Sequence, residues 1–244
     1  MNEKIAQLQK MIDESNNIVF FGGAGTSTDC GLPDFRGKNG LYSAEVRKKY
    51  KRDPEYMLSH SCYVHNPEIF YDYFRENMLF ENAKPSVLHY KLAKLEESGK
   101  LKAVITQNID SMHQKAGSKN VIELHGTTAV SRCRRCNKEF NEDYIKNTTG
   151  IPRCECGGII KPDVVLYEEQ LPSNAMFDAT EAIKNADTLI IAGTSLRVFP
   201  AAYLIYEFRG KNLVVINEEK LEAVTFADLM IIGNIKEVFE QLDI

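Results

Sequence analysis

The chain has no apolar run of the roughly 18 residues that a membrane-spanning helix needs. Its start, Met-Asn-Glu-Lys, lacks the apolar core of a signal peptide. The expectation is therefore a cytoplasmic protein with no membrane partner. Basic charge is not in excess either: 30 Lys and Arg stand against 34 Asp and Glu, a formal net charge of -4. A dedicated nucleic-acid module needs a broad phosphate-neutralising surface, so no specific nucleic-acid partner is expected. Short basic runs such as Arg47-Lys48-Lys49 read as solvated helix faces. Internal repeats, low-complexity tracts and long linkers are also missing. That leaves one large domain with an insert, or two small ones, in a protein expected to be a monomer.

What is present is an ordinary globular composition, 43% hydrophobic and 26% charged, in 244 residues, enough to bury a substantial core. Ile18-Val19-Phe20-Phe21 reads as a buried parallel strand and runs straight into Gly22-Gly23-Ala24-Gly25-Thr26-Ser27-Thr28. A Gly-rich turn after such a strand lets backbone N–H groups approach a pyrophosphate that side chains would block. An ordinary dinucleotide fingerprint would continue into a helix. Here Pro33-Asp34-Phe35-Arg36 follows and breaks one, which suits chemistry at a ribose better than simple cofactor docking.

Helical spacing recurs over Glu3–Ser15, Pro67–Phe80, Pro85–Ser98, Asn174–Lys184, Pro200–Phe208 and Lys236–Leu242. Strands are expected at Ala103–Thr106, Val121–Leu124, Leu189–Ala192, Leu213–Ile216 and Leu229–Ile232. The alternation predicts an α/β fold with a Rossmann-like, doubly wound parallel sheet. Ser27, Gln107, Asn108, Asp110, His125, Thr194, Ser195 and Asn217 all fall just beyond the carboxyl ends of these strands. In an open α/β sheet that edge binds ligands, so the clustering predicts a site.

Six cysteines in a reducing compartment favour metal or free thiols over disulfides. Cys133 and Cys136 form one close pair, Cys154 and Cys156 another, matching one tetrahedral structural zinc ion. The second pair is spaced C-x-C, one residue shorter than usual. With four ligands and no open position, such a zinc supports folding rather than catalysis. Cys30 and Cys62 read as buried small apolar residues.

Together these motifs resemble the sirtuins, NAD-dependent protein-lysine deacylases. The resemblance rests on Gly23-Ala24-Gly25-Thr26-Ser27 with Gly31-Leu32-Pro33-Asp34-Phe35-Arg36, on Thr106-Gln107-Asn108-Ile109-Asp110 with His113, and on His125-Gly126. It continues through the cysteine pairs, Lys161-Pro162-Asp163-Val164-Val165, Gly193-Thr194-Ser195 and Val215-Ile216-Asn217. The resemblance implies an NAD-binding domain over residues 1–37, 82–128 and 164–244. A small lobe would comprise a helical module at 38–81 and a zinc-ribbon module at 129–163. It implies NAD as co-substrate and acetyl-lysine proteins or peptides as partners, with lysine, nicotinamide and O-acetyl-ADP-ribose as products.

Ala24, Thr28, Phe35 and Arg36 would line the phosphate and nicotinamide-ribose region. Gln107, Asn108, Ile109 and Asp110 would hold the ribose and carboxamide, and Thr194, Ser195, Asn217 and Ile235 the adenosine half. His125 would be the general base, a role to which a neutral imidazole is suited near pH 7. Asn108 and Asp110 would stabilise developing positive charge on the ribose. Val164, Val165 and Tyr167 would wall the acyl-lysine tunnel.

Sirtuins commonly follow that Val-Val with an aromatic pair, Gly and Glu, where this chain has Leu166-Tyr167-Glu168-Glu169. The desuccinylating branch carries a Tyr and an Arg three residues apart; here Phe74 follows Tyr71 at that spacing and Arg75 is one further. Deacetylation is therefore expected over desuccinylation, with longer-chain deacylation or ADP-ribosyl transfer as family alternatives. An NAD(P)-dependent oxidoreductase and a zinc-ribbon binding module are the readings from other classes. The Pro-Asp-Phe-Arg loop and the acidic balance speak against them.

Overall fold

The computed structural model describes residues 2–34, 40–42, 48–80 and 82–244. The expected ligands Phe35 and Arg36 lie outside the described residues. Six parallel strands form the main sheet in the order β3-β2-β1-β7-β8-β9. They are β1 (Ile18–Gly22), β2 (Leu101–Thr106), β3 (Val121–Glu123), β7 (Thr188–Ala192), β8 (Asn212–Asn217) and β9 (Leu229–Ile232).

Strand β1 is buried at every residue because both sheet faces are covered. Ile18 and Phe20 point to one face, against helices Asn2–Glu14, Val87–Glu97 and Ile235–Glu240 through Leu8, Leu92 and Phe239. Val19 and Phe21 point to the other, against Ser173–Asn185 and the 3-10 helix Ala201–Glu207 through Ile183 and Leu204. Burying each of these large side chains stabilises the fold by about 2 kcal/mol. The segment expected as an α-helix over Pro200–Phe208 is thus a 3-10 helix, in which the Tyr203 N–H bonds the Pro200 carbonyl at 2.9 Å.

Strand order reverses between β1 and β7: β2 and β3 lie on one side, β8 and β9 on the other. The chains leaving β1 and β7 therefore diverge and open a crevice at their carboxyl ends.

A second body packs beside this sheet. The segment with the cysteines forms an antiparallel sheet in the order β5-β4-β6, from β4 (Gly126–Cys133), β5 (Glu139–Asn141) and β6 (Ile160–Val164). The helices Pro54–Met57, His60–His65 and Pro67–Met78 share a core with it, centred on Phe70, Tyr71, Phe74 and Ile160. Tyr71 donates its hydroxyl to the Ile160 carbonyl at 2.6 Å, and Arg75 donates to the Ile145 and Gly150 carbonyls. Tyr71 thus ties its helix to the small sheet, and Arg75 ties it to the helix Glu142–Lys146 and the turn that follows.

Candidate active site

The floor of the crevice is two backbone turns in contact. The Gly25 N–H bonds the Gly193 carbonyl at 2.8 Å. A Cβ on Gly25 would stand 2.8 Å from the Gly193 Cα, and one on Gly193 (φ +60) only 2.5 Å from the Thr26 nitrogen. Both positions therefore require glycine. Ala24 and Thr28, in the short 3-10 turns that follow β1, face the resulting cleft, which encloses about 610 Å³. That volume is in the range of small-ligand sites.

Strand β2 delivers Gln107 and Asn108 to the same edge. Asn108 is buried, and its amide Nδ2 donates to the hydroxyls of Thr26 and Ser27, both at 3.0 Å. The Thr26 hydroxyl spends its proton on the Gly23 carbonyl at 2.7 Å, so it can only accept from Asn108. This fixes the amide's orientation and leaves Oδ1 for the cleft. Gln107 Nε2 donates to the Thr194 hydroxyl at 3.0 Å, tying the β2 edge to the turn after β7.

His125 follows β3 and Leu124 and lines the cleft half-buried. Its Nδ1 lies 2.7 Å from the Gln107 carbonyl. A carbonyl only accepts, so Nδ1 carries the proton and Nε2 keeps its lone pair. Burial pushes the ring's pKa below 6.5, and the Gln107 carbonyl opposes this only in part. At neutral pH the imidazole is an uncharged base.

The opposite wall is a strap leaving β6. Val164 pairs with Gly126, the Val165 N–H bonds the His125 carbonyl at 2.9 Å, and the Tyr167 N–H bonds the Leu58 carbonyl at 3.0 Å. A Cβ on Gly126 (φ +73) would fall 1.9 Å from the Asp163 carbonyl oxygen, so the strap can approach His125 only past a glycine. Val164, Val165 and Tyr167 all line the cleft, as do Ile109, Thr194, Ser195, Asn217 and Ile235. Asp110 does not: its Oδ1 accepts the Met112 N–H at 2.9 Å, and it borders a small separate hollow beside Leu32.

Sequence reasoning passed over the group that anchors the strap. Lys161 is buried and donates to the Val164 carbonyl at 2.8 Å and to Glu169 at 3.0 Å. Glu169 also accepts from the Leu166 N–H and contacts His60 Nδ1 at 3.0 Å. Burial raises the Glu169 pKa, but the Leu166 N–H, His60 and Lys161 outweigh it and bring the carboxyl below its usual range. The signal available in sequence was a Lys and a Glu flanking a cleft-lining apolar run, which many loops share. Glu168 adopts φ 73 and accepts the Ser61 N–H at 2.8 Å. That bond offsets the roughly 1 kcal/mol that a left-handed non-glycine residue costs.

Two further histidines are structural in position. His89 and His113 are fully buried with ring centroids 4.6 Å apart, and His113 also packs on Phe20. Burial pushes them down to about 4 and about 3, so both are neutral in the folded protein.

The four sulfurs of Cys133, Cys136, Cys154 and Cys156 lie within 4.8 Å of one another. Cys133 and Cys156 are 3.4 Å apart, Cys136 and Cys154 3.7 Å. A tetrahedral ion with bonds of about 2.3 Å sets its sulfurs about 3.8 Å apart, so the donor set fits zinc. The C-x-C pair meets this geometry despite its shorter spacing. N–H groups of Cys136 and Arg135 point at the Cys133 sulfur and pull its thiol below the usual value, while the neighbouring sulfurs push the Cys136 thiol up.

A sequence model described as the Sir2 family matches residues 23–200. The chain is 52% identical over 240 residues to an NAD-dependent protein deacetylase of Clostridium perfringens (strain 13 / Type A), covering 98% of each chain. It is 40% identical over 238 residues to one of Listeria monocytogenes serovar 1/2a, covering 97% of this chain and 99% of the relative. Among solved structures it is similar to Sir2 with a p53 peptide and NAD+, with TM-score 0.84 and 36% identity over 97% of this chain and 95% of that one. A substituted Sir2 with a deacetylated p53 peptide and 3'-O-acetyl ADP-ribose superposes with TM-score 0.85 and 36% identity over 97% and 96%. With the glycine-floored crevice, the imidazole beside it and these relatives in agreement over nearly the whole length, the chain belongs to the Sir2 family.

Proposed function

We propose that this protein removes acetyl groups from protein lysines at the expense of NAD and one water molecule, giving lysine, nicotinamide and O-acetyl-ADP-ribose. The observation that carries the reading is His125: an uncharged imidazole, tautomer fixed by Gln107, lining the same cleft as the glycine turns and the apolar strap. Bound NAD supplies the ribose carbon that takes the acyl oxygen as nicotinamide departs. The chain's own part is to bind, orient and move a proton. Thr194, Ser195, Asn217 and Ile235 hold the adenosine half, and Ala24 and Thr28 flank the phosphates, with Phe35 and Arg36 assigned there from sequence. Gln107, Asn108 and Ile109 position the ribose and carboxamide, the Asn108 Oδ1 facing positive charge on the ribose. Asp110 enters this set as the residue that shapes the Asn108–Met112 turn.

His125 Nε2 takes the proton of a ribose hydroxyl, which Gln107 makes possible by occupying Nδ1. Val164, Val165 and Tyr167 enclose the lysine stem, and one water completes the release of its amine. Cys133, Cys136, Cys154 and Cys156 hold one structural zinc. In this reading residues 1–37, 82–128 and 164–244 bind NAD, while 38–81 and 129–163 close the cleft as a small lobe. The enzyme is a cytoplasmic monomer without a nucleic-acid partner, in keeping with its net charge of -4. No described helix is long and apolar enough to cross a membrane.

Incubation with NAD and an acetyl-lysine peptide is expected to yield acetyl-ADP-ribose by mass, with faster turnover than the matching succinyl-lysine peptide. Faster desuccinylation, or NAD cleavage without acetyl transfer, would refute the assignment.

The pH profile tests the base separately. Because burial holds His125 below 6.5, the rate is flat between pH 7 and 8 and falls on an acid limb centred below 6.5. Circular dichroism must accompany it. His89 and His113 charge in the unfolded chain from about pH 6.5 downward but stay neutral when folded until about 4 and 3. Stability is therefore full above 6.5 and declines as pH falls through that window. An acid limb centred above 6.5 in folded enzyme would remove His125 from the role.

A further inference from the structure

Phe199, Tyr203, Tyr206 and Phe226 are 59%, 61%, 45% and 56% exposed. Their rings form one continuous row, with centroid steps of 4.7, 6.4 and 6.1 Å. Local geometry builds it. In the 3-10 helix Ala201–Glu207, residues three apart eclipse, so Tyr203 and Tyr206 stand side by side outward while Ala202 and Ile205 face the core. Phe226 joins from the turn after Glu222–Val224, where the Tyr206 hydroxyl donates to the Ala223 carbonyl at 3.2 Å. Four half-exposed rings present on the order of 400 Å² of apolar surface, a patch size that marks binding surfaces.

The row is continuous with the catalytic cleft, since Phe199 and Val198 line it together with Val165 and Tyr167. On the same cleft Glu168, Glu218, Glu219 and Glu222 outweigh Arg197 and Lys220, and Lys220 is itself paired with Glu222 at 3.3 Å. Exposed aromatic faces beside a surplus of carboxylates attract cations. Alternate side chains of an extended chain lie about 6.7 Å apart. The steps between Tyr203, Tyr206 and Phe226 are close to that repeat.

We propose that this row is a docking ledge for the substrate segment flanking the acetyl-lysine, selecting extended segments with Lys or Arg at alternate positions. The proposal rests on the deacetylase reading and names a substrate class for it. Its charge, its repeat and its continuity with the cleft fit a basic peptide better than a second copy of an acidic chain.

The test compares wild type with Tyr203→Ser/Phe226→Ser, both exposed and outside the catalytic machinery. Three acetyl-lysine peptides of equal length are used: Lys at alternate flanking positions, Lys at the intervening positions, and Ser throughout. Fluorescence anisotropy gives Kd and nicotinamide release gives kcat and KM. Wild type is expected to favour the alternate-Lys peptide, and the variant to lose about tenfold in Kd and KM for it alone, with kcat and the NAD KM unchanged. Equal affinity of wild type and variant for that peptide, or an equal loss across all three, overturns the ledge whether or not the peptides turn over. No nicotinamide release from any peptide overturns the deacetylase reading instead, and the anisotropy comparison still decides the ledge. Analytical ultracentrifugation of both proteins covers the other occupant: a wild-type dimer that the variant abolishes would overturn the peptide assignment.

Discussion

His125→Ala is expected to lower kcat for deacetylation by about 10³-fold while NAD still binds within a few-fold of wild type. Among the described residues that line the cleft, His125 is the only imidazole. The geometry of the loss is specific. Nδ1 is committed to the Gln107 carbonyl, so removing the ring removes the imidazole lone pair on Nε2 and frees a carbonyl that water can satisfy. The fold should survive, because the ring is half-buried and the strap remains held by the His125 backbone carbonyl, which alanine keeps. Thermal unfolding should therefore shift by a few degrees at most, and product should vanish from the mass spectrum without a change in metal content. A variant that turns over within tenfold of wild type would show that another group takes the proton.

The site's positions were legible in the sequence; its couplings were not. Ile18–Phe21 could be read as a strand because four consecutive apolar residues ended at glycines, and all four are buried. Placing polar residues after each such strand brought Asn108, His125, Thr194 and Asn217 to one cleft. What holds Asn108 in orientation is Thr26, 82 residues away, and no local pattern encodes a hydroxyl that has spent its proton on Gly23. Asp110 illustrates the converse: its place beside Asn108 suggested chemistry, while its carboxylate is turned to the Met112 N–H.

The small antiparallel sheet was equally hidden. Gly126–Cys133 shows no clean alternation of buried and exposed residues, and β5 is only three residues long. Its strands are specified by pairing and by the sulfur cluster rather than by their own periodicity. The Lys161–Glu169 pair could not be weighed from sequence because its effect depends on burial.

Loss of the metal should affect the small lobe most. Structural zinc in small modules is worth on the order of 10 kcal/mol, comparable with the whole stability of a domain. Here Cys133 and Cys154 are buried in the same core as Phe70, Tyr71 and Ile160, so the ion closes the end of the β4–β6 ladder rather than a detached loop. Cys136→Ser is the informative change, because Cys136 is the exposed ligand and a hydroxyl there meets no burial penalty of its own. The variant should lose the bound ion, about one per chain in wild type, and its small lobe should melt well below the parallel sheet, giving two transitions where wild type has one. Activity should fall at least 100-fold without any contact between zinc and substrate. The route is mechanical: β6 leads into the strap, the strap bonds the His125 carbonyl through the Val165 N–H, and Val164, Val165 and Tyr167 form the cleft wall. Cys62→Ser, outside the cluster, should leave the metal content at one. If Cys136→Ser kept a full equivalent of zinc, or lost it without any change in melting, the ion would not be what organises this lobe, and the strap would be held by the Lys161–Glu169 pair and its backbone bonds to His125 and Leu58.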